Sequence, residues 1–186
     1  MHTPRKVFLL AAAVVIAGCT DTGVDPAPVE IPVLLSQHQG PPGHARAAHN
    51  FGAPLSGAQE VPPAATRARG NAIFRLSADG TELSFRLIVA NIENVTMAHI
   101  HCAPAGVNGP VVVWLYPLSP PAQLIPGRTS GILSEGTVTG VTSNACGATL
   151  TELVDRMRAG DTYVNVHTAQ FPPGEIRGQI RGNGPS

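Results

Sequence analysis

Gly70-Asn71-Ala72-Ile73-Phe74-Arg75-Leu76-Ser77-Ala78-Asp79-Gly80-Thr81-Glu82-Leu83-Ser84-Phe85-Arg86-Leu87-Ile88-Val89 reads as two extended runs around a two-residue turn. Ala72, Phe74 and Leu76 share one face of the first run. Leu83, Phe85, Leu87 and Val89 alternate with Ser84, Arg86 and Ile88 in the second. A period of two puts each apolar set on a single side of a strand. Asp79-Gly80 supplies the positive φ angles that a tight hairpin needs. The rest of the composition agrees: 20 glycines, 18 prolines and only 13% charged residues favour short strands joined by turns.

C-terminal to this hairpin, Asn91 to Val95 is expected to turn the chain into Ala98-His99-Ile100-His101-Cys102. In an extended strand His99 and His101 share one face, and Ala98 and Ile100 the other. Beyond a Gly106 to Pro110 hinge, Val111 to Leu115 has no polar face and reads as a strand covered on both sides. Pro117, Pro120 and Pro121 end it. A polar strand pair is expected around Gly131 to Val141. Thr149-Leu150-Thr151-Glu152 is a capping box, followed by Leu153, Val154 and Met157 at helical spacing and by Gly160 as a stop. This predicts one short helix near residues 149–159, packed as a flap on the sheet. In Tyr163-Val164-Asn165-Val166-His167-Thr168, Val164 and Val166 point to the core, while Tyr163, Asn165 and His167 point the other way. After a turn at Phe171-Pro172-Pro173-Gly174, Glu175, Arg177 and Gln179 share a face of the last strand, and residues 183–186 form a tail.

N-terminal to the hairpin, Phe51 to Val61 followed by Pro62-Pro63 reads as an edge strand and an irregular loop. Residues 19–50 are rich in Pro, Ala and Gly without either periodicity, as in a flexible tether. His38, His44 and His49 read there as solvated linker side chains. Residues 1–18 form a signal peptide, with Arg5 and Lys6 before an apolar run too short to span a bilayer as a mature helix. Ile16-Ala17-Gly18-Cys19 resembles a bacterial lipobox, which implies diacylation of Cys19 and stable tethering to a membrane. The expected location is the bacterial cell envelope, outside the cytoplasm.

Cleavage after Gly18 removes Lys6, the only lysine, and leaves ten arginines against twelve acids, a net charge of −2. Lysine-based catalysis is excluded, and no basic stripe exists for a nucleic acid. With Cys19 lipidated, Cys102 and Cys146 remain as an even pair suited to a disulfide in an oxidising compartment. A Cys102 thiolate acting as a metal ligand is the alternative.

Leu55-Ser56-Gly57-Ala58-Gln59-Glu60-Val61-Pro62-Pro63, Asp79-Gly80-Thr81-Glu82-Leu83, Ala98-His99-Ile100-His101, Asn108-Gly109-Pro110-Val111-Val112-Val113 and Tyr163 to Thr168 with Gly174 to Gln179 resemble the CHRD domain, five blocks in order. That module occurs repeated in chordin and singly in bacterial exported proteins. The resemblance places a CHRD domain at residues 51–182 and implies an exported all-β fold, without chordin's binding activity. A weaker similarity joins the His-x-His strand and the later Val-x-Val-His strand to the copper ligands of copper/zinc superoxide dismutases. On that similarity His99, His101 and His167 hold one copper ion, with Arg177 near its open position as an anion guide. No bridging histidine and no zinc cluster accompany them. The expected fold class is all-β, a Greek-key β-sandwich or barrel of the superoxide dismutase-like or immunoglobulin-like kind.

Three neutral imidazoles suit copper or zinc and leave a fourth position open. Alternatively they bond the Gln59-Glu60 loop, Asn165 or backbone carbonyls and only fix the fold. Glu60, Glu175 and Arg177 are secondary candidates for acid/base work; Glu175 and Arg177 share a strand face and read first as a structural pair. No catalytic residue is assigned, and no nucleophile elbow or nucleotide-binding fingerprint is present. Three functions stay open: a membrane-tethered CHRD binding module, possible holder of a copper or zinc ion; a superoxide dismutase-like copper oxidoreductase; and a structural or adhesive domain recognising protein or carbohydrate.

Overall fold

The computed structural model describes residues 49–183. The expected signal peptide, the lipidated Cys19, most of the tether with His38 and His44, and residues 184–186 lie outside these. The described chain runs β1 (Asn50–Ser56), a 3-10 turn (Gly57–Gln59), β2 (Arg69–Leu76), β3 (Leu83–Cys102), β4 (Val111–Tyr116), β5 (Ile125–Val138), α1 (Leu150–Ala159), β6 (Thr162–Thr168), β7 (Ile176–Gln179) and β8 (Arg181–Gly182). The fold is all-β with one short helix.

Five strands close a ring: β1 pairs β2, β2 pairs β3, β3 pairs β6, β6 pairs β7, and β7 returns to β1 where Ser56 faces Arg177. Every one of these pairings is antiparallel. An odd ring of antiparallel pairs needs a strand that changes direction, and β3 has the place for it. Leu83 to Ala90 pairs β2, and Val95 to Cys102 pairs β6. Between the halves Asn91 (φ 56°) and Asn94 (φ 55°) adopt the left-handed conformation that asparagine tolerates best after glycine. The break expected at Asn91 to Val95 is therefore a corner inside one 20-residue strand. β4 and β5 add to β3, and β8 adds to β1.

Inside the ring, Phe51, Leu55, Phe74, Leu87, Ile100 and Val164 are each at most 2% exposed. At about 25 cal/mol per Å² of apolar area, side chains of this size contribute roughly 1.5–3 kcal/mol apiece. The helix forms as the capping box dictates: Glu152 N–H donates to Thr149 Oγ1 (3.2 Å), Thr149 N–H donates to Glu152 Oε2 (3.0 Å), and Gly160 ends it at φ 77°. Its stripe of Leu150, Leu153, Val154 and Met157 is buried.

Three expectations are corrected. β1 is not an edge strand, because β2 lies on one side and β7 and β8 on the other. The polar pair around Gly131 to Val141 is the single strand β5, all of it laid along β3; Gly127 and Gly131, with positive φ, bend it without reversing it. β4 is only half-covered, with Val112, Val113 and Leu115 buried and Val111, Trp114 and Tyr116 partly exposed.

Candidate metal centre

β3 and β6 run side by side with His101 opposite Tyr163, His99 opposite Asn165 and Met97 opposite His167. Residues directly opposite share a face, so the alternation in the two strands collects all six on the outside of the ring. That outside is not open to solvent. Three connections fold over it: residues 57–68, 103–110 and 169–175. His99, His101 and His167 are 2%, 8% and 6% exposed.

The connections are tied down by polar side chains. Thr66 donates to Glu175 Oε1 (2.6 Å) and Thr168 to Glu175 Oε2 (2.8 Å), joining the first connection to β6. Asn108 Nδ2 donates to Val61 O (2.8 Å), joining the first to the second. Arg177 donates to Asn108 Oδ1 (3.1 Å) and Val107 O (2.7 Å), and its guanidinium carbon lies 3.4 Å from the centre of the Tyr163 ring. Gln179 donates to Ala103 O (3.0 Å) and Gly160 O (2.7 Å). Glu175 and Arg177 therefore do not form the pair read from their strand spacing; each clamps a different connection. Arg177 is 1% exposed, and the oxygens that accept from it lie on the 103–110 connection.

This clamping fixes the imidazoles. His101 Nδ1 lies 2.8 Å from Gly109 O and His167 Nδ1 lies 2.9 Å from Pro172 O. A carbonyl can only accept, so both Nδ1 atoms carry the proton and both Nε2 atoms keep a lone pair. His99 Nδ1 is 3.3 Å from His167 Nε2, and by the same logic donates to it. His99 Nε2 and His101 Nε2 are buried without a hydrogen-bond partner. The rings are held from the sides as well: Trp114 meets His99 edge-on at 4.3 Å between centroids, and Tyr163 stacks on His101 at 4.8 Å and 13°.

One nitrogen from each histidine lies within 4.8 Å of the other two. Around a tetrahedral ion with metal–nitrogen bonds of about 2.0–2.1 Å, ligand nitrogens sit roughly 3.3–3.4 Å apart. His99 Nδ1 and His167 Nε2 stand at that separation, 3.3 Å, and ligation through both requires the proton they share to move to His99 Nε2. Burial pushes His99 down to about 3, with the neighbouring imidazoles adding to the effect. Burial likewise holds His101 down at about 4, against its Gly109 bond, and lowers His167. All three are neutral at physiological pH, the form in which imidazole binds metal. Histidine pairs fixed through Nδ1–H to backbone carbonyls are the arrangement that orients and strengthens metal-binding imidazoles.

Beside this cluster lies a second buried polar group. Glu60 is 6% exposed, and its Oε2 accepts from Asn165 Nδ2 at 3.4 Å. Burial raises it to about 7 despite the lowering effect of Arg177. Glu60 thus joins the face through Asn165, whereas Glu175 is occupied by two threonine hydroxyls. Cys102 is bonded to Cys146 across 44 residues, so it is a disulfide half-cystine and not a thiolate ligand.

Sequence reasoning found the three imidazoles and Tyr163 but not Trp114, Gly109 or Pro172. The single tryptophan was legible as the residue facing His99 only once the β3–β4 register was known. Backbone carbonyls carry no sequence signal at all. The family model described as CHRD domain matches residues 51–180. No curated protein and no solved structure matches the chain.

Proposed function

This chain belongs to the CHRD domain family, and on that premise we propose that it is an exported, membrane-tethered module holding one copper or zinc ion through His99, His101 and His167. One observation carries the metal reading. The backbone carbonyls of Gly109 and Pro172 hold His101 and His167 in a single tautomer with Nε2 unprotonated, beside a third buried imidazole. A merely structural role would leave fewer buried nitrogens without partners, since an unmade hydrogen bond costs about 1–3 kcal/mol. Export and tethering are supported by the leader and lipobox read at residues 1–19. The Cys102–Cys146 disulfide suits a compartment outside the cytoplasm.

The test uses the full chain, oxidised and without a polyhistidine tag, titrated with Cu(I), Cu(II) and Zn(II). One equivalent should bind well below micromolar concentration, and His99→Ala, His101→Ala and His167→Ala should each abolish that stoichiometry. Binding weaker than micromolar, or unchanged metal content in the variants, would refute the site and favour a structural role for the cluster.

A further inference from the structure

The three histidines do not exhaust the face they share. Met97 stands two residues before His99 on β3 and directly opposite His167 on β6. From Met97 to Cys102 the β3–β6 register is unbroken, so Met97, His99 and His101 lie on one side of the strand and Ala98 and Ile100 on the other. Burial agrees with that assignment: Ala98 and Ile100 are 0% exposed, in the core, while Met97 is partly exposed. Directly opposed residues have Cβ atoms about 4.5–5.5 Å apart. Methionine carries its thioether on three rotatable bonds and adapts to irregular space. A thioether on that flexible stem can extend over its cross-strand neighbour His167, on the face that carries the imidazoles. The other methionine in the described residues, Met157, is fully buried in the apolar stripe of α1 and offers no competing sulfur.

We infer that Met97 is a fourth ligand and that it makes the centre selective for Cu(I), an inference that rests on the metal reading of the three histidines. Thioether sulfur is a soft donor that favours Cu(I), whereas zinc is satisfied by imidazole nitrogen alone. The site's exposure points the same way. The imidazoles are buried, and Met97 is the partly exposed member of the set, which places it on the solvent side of the histidines. The buried, neutral imidazoles behind it supply donors without adding charge, which suits a monovalent ion in a low-dielectric site.

The discrimination is read by anaerobic competition of the full chain against a chromophoric Cu(I) chelator, with a parallel competition for Zn(II). Met97→Leu keeps the side-chain volume and removes the sulfur. Cu(I) affinity should fall about tenfold or more, the usual scale for losing one contributor to a metal site, and Zn(II) affinity should stay within about twofold. Copper-edge X-ray absorption on selenomethionine-labelled protein gives a readout that needs no variant: one selenium neighbour beside the nitrogens. Unchanged Cu(I) affinity in Met97→Leu, or a copper shell of nitrogen alone in the labelled protein, would overturn the role of Met97 and leave the histidine site standing. Failure of the unsubstituted chain to bind any of these ions would overturn both.

Discussion

Gly174 sits at φ 139°, where L side chains are strained, and a β-carbon there would collide with the Asn165 amide and with Glu60 Oε1. The missing side chain is what lets Glu60 and Asn165 approach beneath the 169–175 connection. Gly174→Ala should cost about 2–4 kcal/mol in urea unfolding, combining strain with a broken buried polar contact. A loss under about 1 kcal/mol would mean that the connection simply moves aside. Arg177 acts at longer range. Its side chain holds Asn108 and Val107, and their connection carries Gly109 O, which fixes His101. Arg177→Met retains the apolar stem and removes the donors. Stability should drop by about 2–4 kcal/mol, and metal affinity about tenfold, as when an orienting partner is lost. Metal affinity equal to that of the parent would confine Arg177 to holding the fold.

Between β2 and β3 the turn itself titrates. Asp79 Oδ1 accepts from the Ser77 hydroxyl (2.6 Å), Thr81 N–H (3.1 Å) and the Thr81 hydroxyl (2.9 Å). These bonds, the serine's above all, lower its carboxyl from 3.8 to about 2. The unfolded chain thus binds the proton more readily, so this stabilisation is complete above about pH 4 and is lost as the pH falls through 2. Asp79→Asn should flatten the acid limb of the stability profile over that interval, measured by denaturant midpoint against pH. The same hairpin shows why parts of the fold were legible. Alternation of Phe74 and Leu76 with Arg75, an Asp-Gly turn and a capping box at Thr149 are local signals, and the structure places β2, the start of β3 and α1 where they point. Signals failed where one residue type serves two purposes. Asn91 and Asn94 read as a turn yet bend a continuing strand, and Gly131 reads as a hairpin yet marks an irregularity in β5. The histidines were legible because alternation in β3 and β6 is local. Their cover was not, since it is assembled from three connections far apart in sequence and pinned by backbone carbonyls.

Across the whole molecule, the disulfide and the histidine cluster meet at the end of β3. Cys102 follows His101, is bonded to Cys146, and donates its backbone N–H to Pro110 O (3.0 Å) at the far end of the 103–110 connection. Gly109 packs so closely on the Cys102 carbonyl that no side chain fits between them. Closing a loop of 44 residues stabilises the fold by about 4 kcal/mol in the chain-entropy model. An ion bound by the histidines would add separately, about 2.7 kcal/mol at a free concentration of 100 times Kd, or roughly 10 °C in Tm for a domain of this size. If the two were independent, removing both cysteines would lower the metal-free Tm and leave the metal-induced rise intact. The shared connection argues otherwise, because neighbouring elements couple. The Cys102→Ala, Cys146→Ala protein should lose about 4 kcal/mol without metal, and at matched free metal it should also show a smaller rise in Tm. Calorimetry of four samples, parent and double variant each with and without metal, measures that coupling directly. An undiminished rise would show that Arg177, through Asn108 and Val107, and Tyr163, whose hydroxyl accepts from Gly109 N–H (3.1 Å), hold Gly109 in place without help from the disulfide.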